Sequence, residues 1–221
     1  MMPFLSLARM TLLSGTFLLF IVTVWTFITE YKVAIFLNGT TRDHINSLAD
    51  PGIQTPEPAS ARSVRDFMSA CGNTLVLAPQ LKAEPLLAAR VSARCKLVAD
   101  RVLVLAPSNA RALAVSLLTS GKIDHSFLRL AQAAAPFEPW PLNIRMQAVA
   151  ADPSPTPDVI SQAGEDIRRA LMSPWGAAKI ANLYRLNPKL RPAITAAAAR
   201  SSLDDQRRFL DFLLREMSQA D

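Results

Sequence analysis

Glycine is scarce in this sequence, at 7 in 221 residues, and tyrosine, histidine and cysteine occur only twice each. With β-branched runs short and alanine and leucine abundant, the composition argues for helices and against a sheet. Two cysteines do not make a disulfide scaffold, and a chain of this length needs none, because it can bury a core of its own. His44 and His125 lie far from Cys71 and Cys95, so no zinc-ligand spacing occurs. Also missing are G-x-S-x-G, the phosphate-loop pattern, G-x-G-x-x-G, H-E-x-x-H and C-x-x-C. The carboxylate pairs Glu165/Asp166 and Asp204/Asp205 read as charges in the first turns of helices, favoured there by the helix dipole, and not as an acid/base dyad. No catalytic, cofactor-binding or metal-binding residue is expected, and the chain is not read as an enzyme.

Charge is short on the acidic side, with 18 Asp and Glu against 24 Lys and Arg, a net of +6. In residues 1–50, Arg9, Lys32 and Arg42 cancel Glu30, Asp43 and Asp50, so the whole excess lies in residues 51–221. Such an excess is either a footprint for an anionic partner, such as a lipid surface or an acidic polysaccharide, or an ordinary solvated face. Nucleic acid is not expected, since no basic cluster is interleaved with aromatic residues.

Residues 10–28, MTLLSGTFLLFIVTVWTFI, carry no charge. At about 1.5 Å per residue this run spans roughly 28 Å, close to a bilayer's hydrocarbon thickness. A cleaved signal peptide would have a shorter apolar run, about 7–15 residues, ending at small residues. Here bulky TEYKVAIFLNG follows instead, so the segment reads as an uncleaved signal-anchor. Trp25 and Tyr31 fall where an interfacial belt would lie, and Val33 to Leu37 either extend the helix or lie along the membrane surface. The short N-terminal tail favours an N-in, C-out insertion in a bacterial inner membrane, which leaves the rest of the chain in the periplasm. The chain then divides into an anchor at 1–32, a juxtamembrane segment with an extended proline-rich linker at 33–61, and a helical domain at 62–221.

Cys71 follows the stripe Val64, Phe67, Met68, and Cys95 lies on Leu87, Val91, Val98, Val102, so both face inward on helices. They are either a disulfide, in an oxidising compartment, or two buried thiols packing as small apolar groups.

Prolines punctuate the domain. Ala-Pro falls at 78/79, 106/107 and 135/136, intervals of 28 and 29 residues, as stacked helical pairs do. In the middle unit Ser108 is expected to cap a helix that ends at Gly121, and Asp124 a second one. The stretch FEPWPL at 137–142 reads as a connector between helices, with Trp140 plugging a junction or reaching a partner. Thr156 caps a further helix with Pro157 at its first position. The last helix, 203–218, is expected to turn Phe209, Leu210, Leu213, Leu214 and Met217 inward and its charges outward, as the end of a stacked array would.

The phrases LAPSNARALAVSLLTSGKID and YRLNPKLRPAI resemble the helix junctions of tetratricopeptide-like proteins, over residues 62–200 at most. The interval is shorter than that family's 34 residues, and the family's Trp, Gly and Tyr positions are largely missing. The resemblance implies an all-α fold, a right-handed stack of helical hairpins behind the membrane helix, and a protein-binding scaffold without chemistry of its own. The layout of anchor plus short helical domain is also similar to small accessory proteins of bacterial envelope assembly, including exopolysaccharide export. The residues named as candidate partner contacts are Trp140, Trp175 and Arg145. Direct binding of an anionic polysaccharide or lipid headgroup by the basic surface is the alternative.

Overall fold

The computed structural model describes residues 3–218; the outermost residues of the anchor and of the helical domain drawn above lie outside the described residues. Among these, every regular element is helical. The first helix, α1 (Pro3–Phe36), is 34 residues long, about 51 Å at 1.5 Å per residue, and its stretch Ser14–Phe36 is long and apolar enough to cross a membrane. Phe17, Leu18, Phe20, Trp25 and Phe27 face outward with no protein over them. The hydroxyls of Thr23, Thr26 and Thr29 donate back to the carbonyls of Leu19, Val22 and Trp25 at 2.8, 2.8 and 2.7 Å, which satisfies groups that lipid could not.

Val33 to Leu37 neither hang free nor leave the helix axis before Phe36. Val33 and Phe36 are buried, and the Phe36 ring stacks on Phe67 at 5.6 Å; such burial contributes roughly 1.5–3 kcal/mol for each large apolar side chain. One turn earlier, the Glu30 carboxylate accepts the Ser60 N–H at 2.9 Å, the Ser60 hydroxyl at 3.0 Å and the Ser63 hydroxyl at 2.7 Å. Helix α1 is therefore tied to the domain.

The segment 33–61 contains more than the extended proline-rich stretch at its end. It holds a helix, α2 (Thr41–Ala49), capped reciprocally by Thr40 and Asp43, with Ile45 and Leu48 buried. Beyond it the chain is extended but held: Arg94 donates to the carbonyls of Ile53 and Asp50 at 2.5 and 3.0 Å, and Arg101 pairs with Glu57 at 2.6 Å. Proline removes backbone donors but leaves carbonyls in place; Arg94 takes two carbonyls of this segment and Arg101 a carboxylate.

The remaining helices are α3 (Ala61–Leu77), α4 (Pro79–Ala83), α5 (Pro85–Leu105), α6 (Ala110–Thr119), α7 (His125–Ala134), α8 (Pro139–Ala151), α9 (Pro157–Leu171), α10 (Pro174–Leu186), α11 (Arg191–Ala199) and α12 (Leu203–Ser218), with a 3-10 turn at Pro188–Leu190 before α11. Proline opens α4, α5, α8, α9 and α10, where its missing N–H costs nothing and its φ suits the helix. Asp124 and Thr156 cap α7 and α9 as read, and Gly121 takes a positive φ of 72° after α6. The cap of α6 is Asn109, not Ser108; its side chain accepts the Ala112 N–H at 3.0 Å. The Ala-Pro interval marks junctions without marking equal units. The first precedes the five-residue α4, the second follows the 21-residue α5, and the third follows the ten-residue α7.

Helix α6 is buried nearly all round. Ala112 and Val115 belong to one core cluster with Phe67, Met68, Val91 and Val98, while Leu113 and Leu117 belong to a second with Leu128, Leu142, Ile167 and Ile180. At the far end α12 packs along α10, with Phe209 edge-on to Tyr184 at 6.1 Å. Only part of the expected inward stripe goes in: Phe209 is buried and Leu213 partly so, whereas Leu210, Leu214 and Met217 are exposed. The apolar arc of α12 is wider than its contact, because Glu216 also faces α10 and binds Asn182 and Arg185 at 3.2 and 3.3 Å.

Candidate functional site

The three expected contact residues meet different fates. Arg145, on α8, is 0% exposed. Its Nε and Nη2 donate to the two Asp166 oxygens, both at 2.8 Å, and its Nη1 to the carbonyls of Ala131 and Ala135 at 3.2 Å. The guanidinium thus satisfies carbonyls left open at the end of α7, and its reading as a partner contact is corrected to an internal one. Asp166 is corrected with it, since it lies well inside α9 and serves this pair, not the helix start.

Trp140 is half-buried at the α3–α8 junction. A Cβ added to Gly72 would stand 2.6 and 2.9 Å from its ring carbons, so the indole occupies space that only glycine leaves open. Its N–H donates to Asn73 Oδ1 at 3.1 Å, and the Arg111 guanidinium lies 4.8 Å from its ring centre. Arg111 is itself fixed by the Ser69 hydroxyl at 2.7 Å and by Glu138 at 2.5 Å. Trp175, in the first turn of α10, is 43% exposed. The Cys71 and Cys95 sulfurs stand 2.12 Å apart as a disulfide joining α3 to α5, fully buried.

No signal in the sequence points to a groove that the fold forms beside α1. A groove of about 730 Å³ runs between the last turns of α1 and the first turns of α3. Its α1 wall is Phe27, Tyr31 and Ala34, and its α3 wall is Arg62, Asp66 and Ser69. Each set recurs at i, i+4, i+7, one helix face, but their pairing brings residues 27–34 to residues 62–69 and exists only in three dimensions. Phe27 and Tyr31 stack with ring centres 6.3 Å apart. Arg62 and Asp66 stand 3.8 Å apart on the rim, with side chains 83% and 44% exposed. His44 closes one end, its Nε2–H donating to the Leu37 carbonyl at 2.8 Å.

The described residues contain no group of three or more His, Cys, Asp or Glu side chains placed to hold a metal. Comparison of the chain with protein-family models, with curated proteins and with solved structures finds no match.

Proposed function

We propose that this is a single-pass protein of the bacterial inner membrane whose periplasmic domain, a tetratricopeptide-like stack of helical hairpins, docks a protein partner as an accessory factor of envelope assembly, with exopolysaccharide synthesis or export as the specific setting. The observation that carries this reading is the tied junction of α1 with the domain. Glu30, Val33 and Phe36 hold the domain against the last turns of α1, which suits a docking platform at a fixed distance from the span. The buried disulfide supports an oxidising compartment.

The partner surface is the outer face of α12. Leu203, Leu210, Leu214 and Met217 are exposed there and, with Arg207, follow a heptad rhythm, flanked by Asp204, Asp211 and Arg215. An amphipathic helix with an apolar seam and charges of both signs fits such a stripe. The polysaccharide alternative is less favoured, because Arg185 and Arg208 are engaged by carboxylates and Arg94 and Arg191 by backbone carbonyls.

The test is a photo-crosslinker at Leu214 in the full chain in cells. One discrete heterologous adduct, lost on Leu210→Asp while the melt stays unchanged, is the expected result. Adducts to the chain's own copies only, or none, reject the heterologous scaffold.

A further inference from the structure

We infer that the groove between α1 and α3 holds one membrane phospholipid whose headgroup carries both a phosphate and an ammonium, as phosphatidylethanolamine does. The inference rests on the reading of α1 as a membrane span.

Position comes first. The stacked Phe27 and Tyr31 rings form the lip of the groove, and they sit at the level where the outward apolar side chains of α1 give way to Glu30 and the docked turns. Aromatic residues at that level lie among headgroups. With the span in a bilayer, the medium at the mouth of the groove is lipid and not bulk water.

The walls then select the ligand. Phe27, Tyr31 and Ala34 offer an apolar surface with no protein against it, while Arg62, Asp66 and Ser69 face them across the groove. A molecule satisfying both walls has an apolar chain and a charged head. The lining carries Arg62 and the two carboxylates Glu30 and Asp66, and Arg65 pairs with Asp66 at 3.0 Å, so cations and carboxylates balance there and a headgroup that carries both charges matches the wall better than one that is purely anionic. Glu30 already accepts three hydrogen bonds from Ser60 and Ser63. Arg62 and Asp66 are an exposed pair of little mutual benefit; Arg62 is placed for phosphate, and Asp66, whose Oδ1 accepts from Arg65 Nε at 3.0 Å, has Oδ2 left for ammonium.

Size points the same way. The volume of about 730 Å³ lies within the roughly 300–1,000 Å³ of small-molecule sites.

The test uses the full chain in vesicles of defined phosphatidylethanolamine, phosphatidylglycerol and phosphatidylcholine content, extracted in mild detergent and weighed intact by native mass spectrometry. One phosphatidylethanolamine should remain bound to the wild type, and retention should fall at least fivefold in Ala34→Trp, which fills the groove from an exposed position, and in Arg62→Gln, which removes the phosphate partner. Leu86→Asp, at an exposed position of α5, should retain lipid as the wild type does. Equal retention in all variants, a preference for phosphatidylglycerol, or a photo-crosslinker at residue 34 that captures protein instead of lipid would overturn the site. An alkaline wash of the same vesicles separates the two failures. Protein that washes off overturns both the span and the site, whereas protein that stays but carries no lipid overturns the site alone.

Discussion

Arg145 and Asp166 form a two-point ion pair inside the domain, both N···O distances 2.8 Å, with the arginine fully buried. Its third donor binds the end of α7, so one side chain of α8 organises both α7 and α9. Removing Asp166 strands the buried Arg145 charge, which costs about 3–5 kcal/mol, while removing Arg145 leaves Asp166 only the longer contact with Arg169, at 3.7 Å. Arg145→Met and Asp166→Leu should each lower the melting temperature markedly, and the double variant should be more stable than the sum of the two losses predicts. A denaturation series of all four proteins measures this; strict additivity would show that the two residues do not act as a pair.

The buried disulfide gives a redox expectation. Cys71 and Cys95 are 24 residues apart in sequence, and closing a loop of that size removes unfolded-state entropy worth about 3 kcal/mol. A Cys71→Ala/Cys95→Ala variant should unfold at lower denaturant. In the native wild type, thiol labelling under mild reductant should stay negligible until the protein unfolds.

Gly72 offers a test of what Trp140 does. A methyl group there collides with the indole and approaches Ile144 Cδ1 to 3.1 Å. Overpacking of this kind costs roughly 1–3 kcal/mol, so Gly72→Ala should lower stability and shift Trp140 emission towards the solvent-exposed wavelength. An unchanged melt and spectrum would mean that the junction is loose.

Acid should weaken two caps. The Asp124 carboxyl is held below its ordinary 3.8 by the Ser126 hydroxyl and then by the Phe127 N–H. Asp43 is held below 3.8 by the Thr40 N–H and then by the Thr40 hydroxyl. A carboxyl with a depressed folded-state value stabilises above its unfolded value and loses that contribution as pH falls through the folded one. Stability should therefore be flat above about pH 5 with respect to these groups and decline below about pH 4. Asp124→Asn, which keeps a capping oxygen but does not titrate, should show a shallower acid limb when melts are compared from pH 6 to pH 2.

Particular residues show where the sequence was legible. Thr156 with Pro157 and Asp124 before Phe127 announce their helices because a cap needs only the next three residues. Asn109 took the place expected of Ser108, a shift of one residue between two neighbouring side chains with similar capping chemistry. The stripe of α12 was visible, but its depth of burial was not: Phe209 goes in and Leu214 stays out according to where α10 lies. The groove left no mark, since Arg62, Asp66 and Ser69 look like any solvated helix face until α1 is laid across from them.

By itself the sequence determined that the chain is helical, where most helices begin and end, and that one helix near the N-terminus is apolar enough to cross a membrane. These follow from interactions reaching three or four residues along the chain and from summed hydropathy, both local. The tertiary structure alone decided that Arg145 is an internal strut, that residues 33–61 are held against the domain, and that α1 and α3 enclose a groove. Each of those depends on which surfaces meet across tens of residues, and that choice is made by the packing of whole helices, which no local pattern encodes.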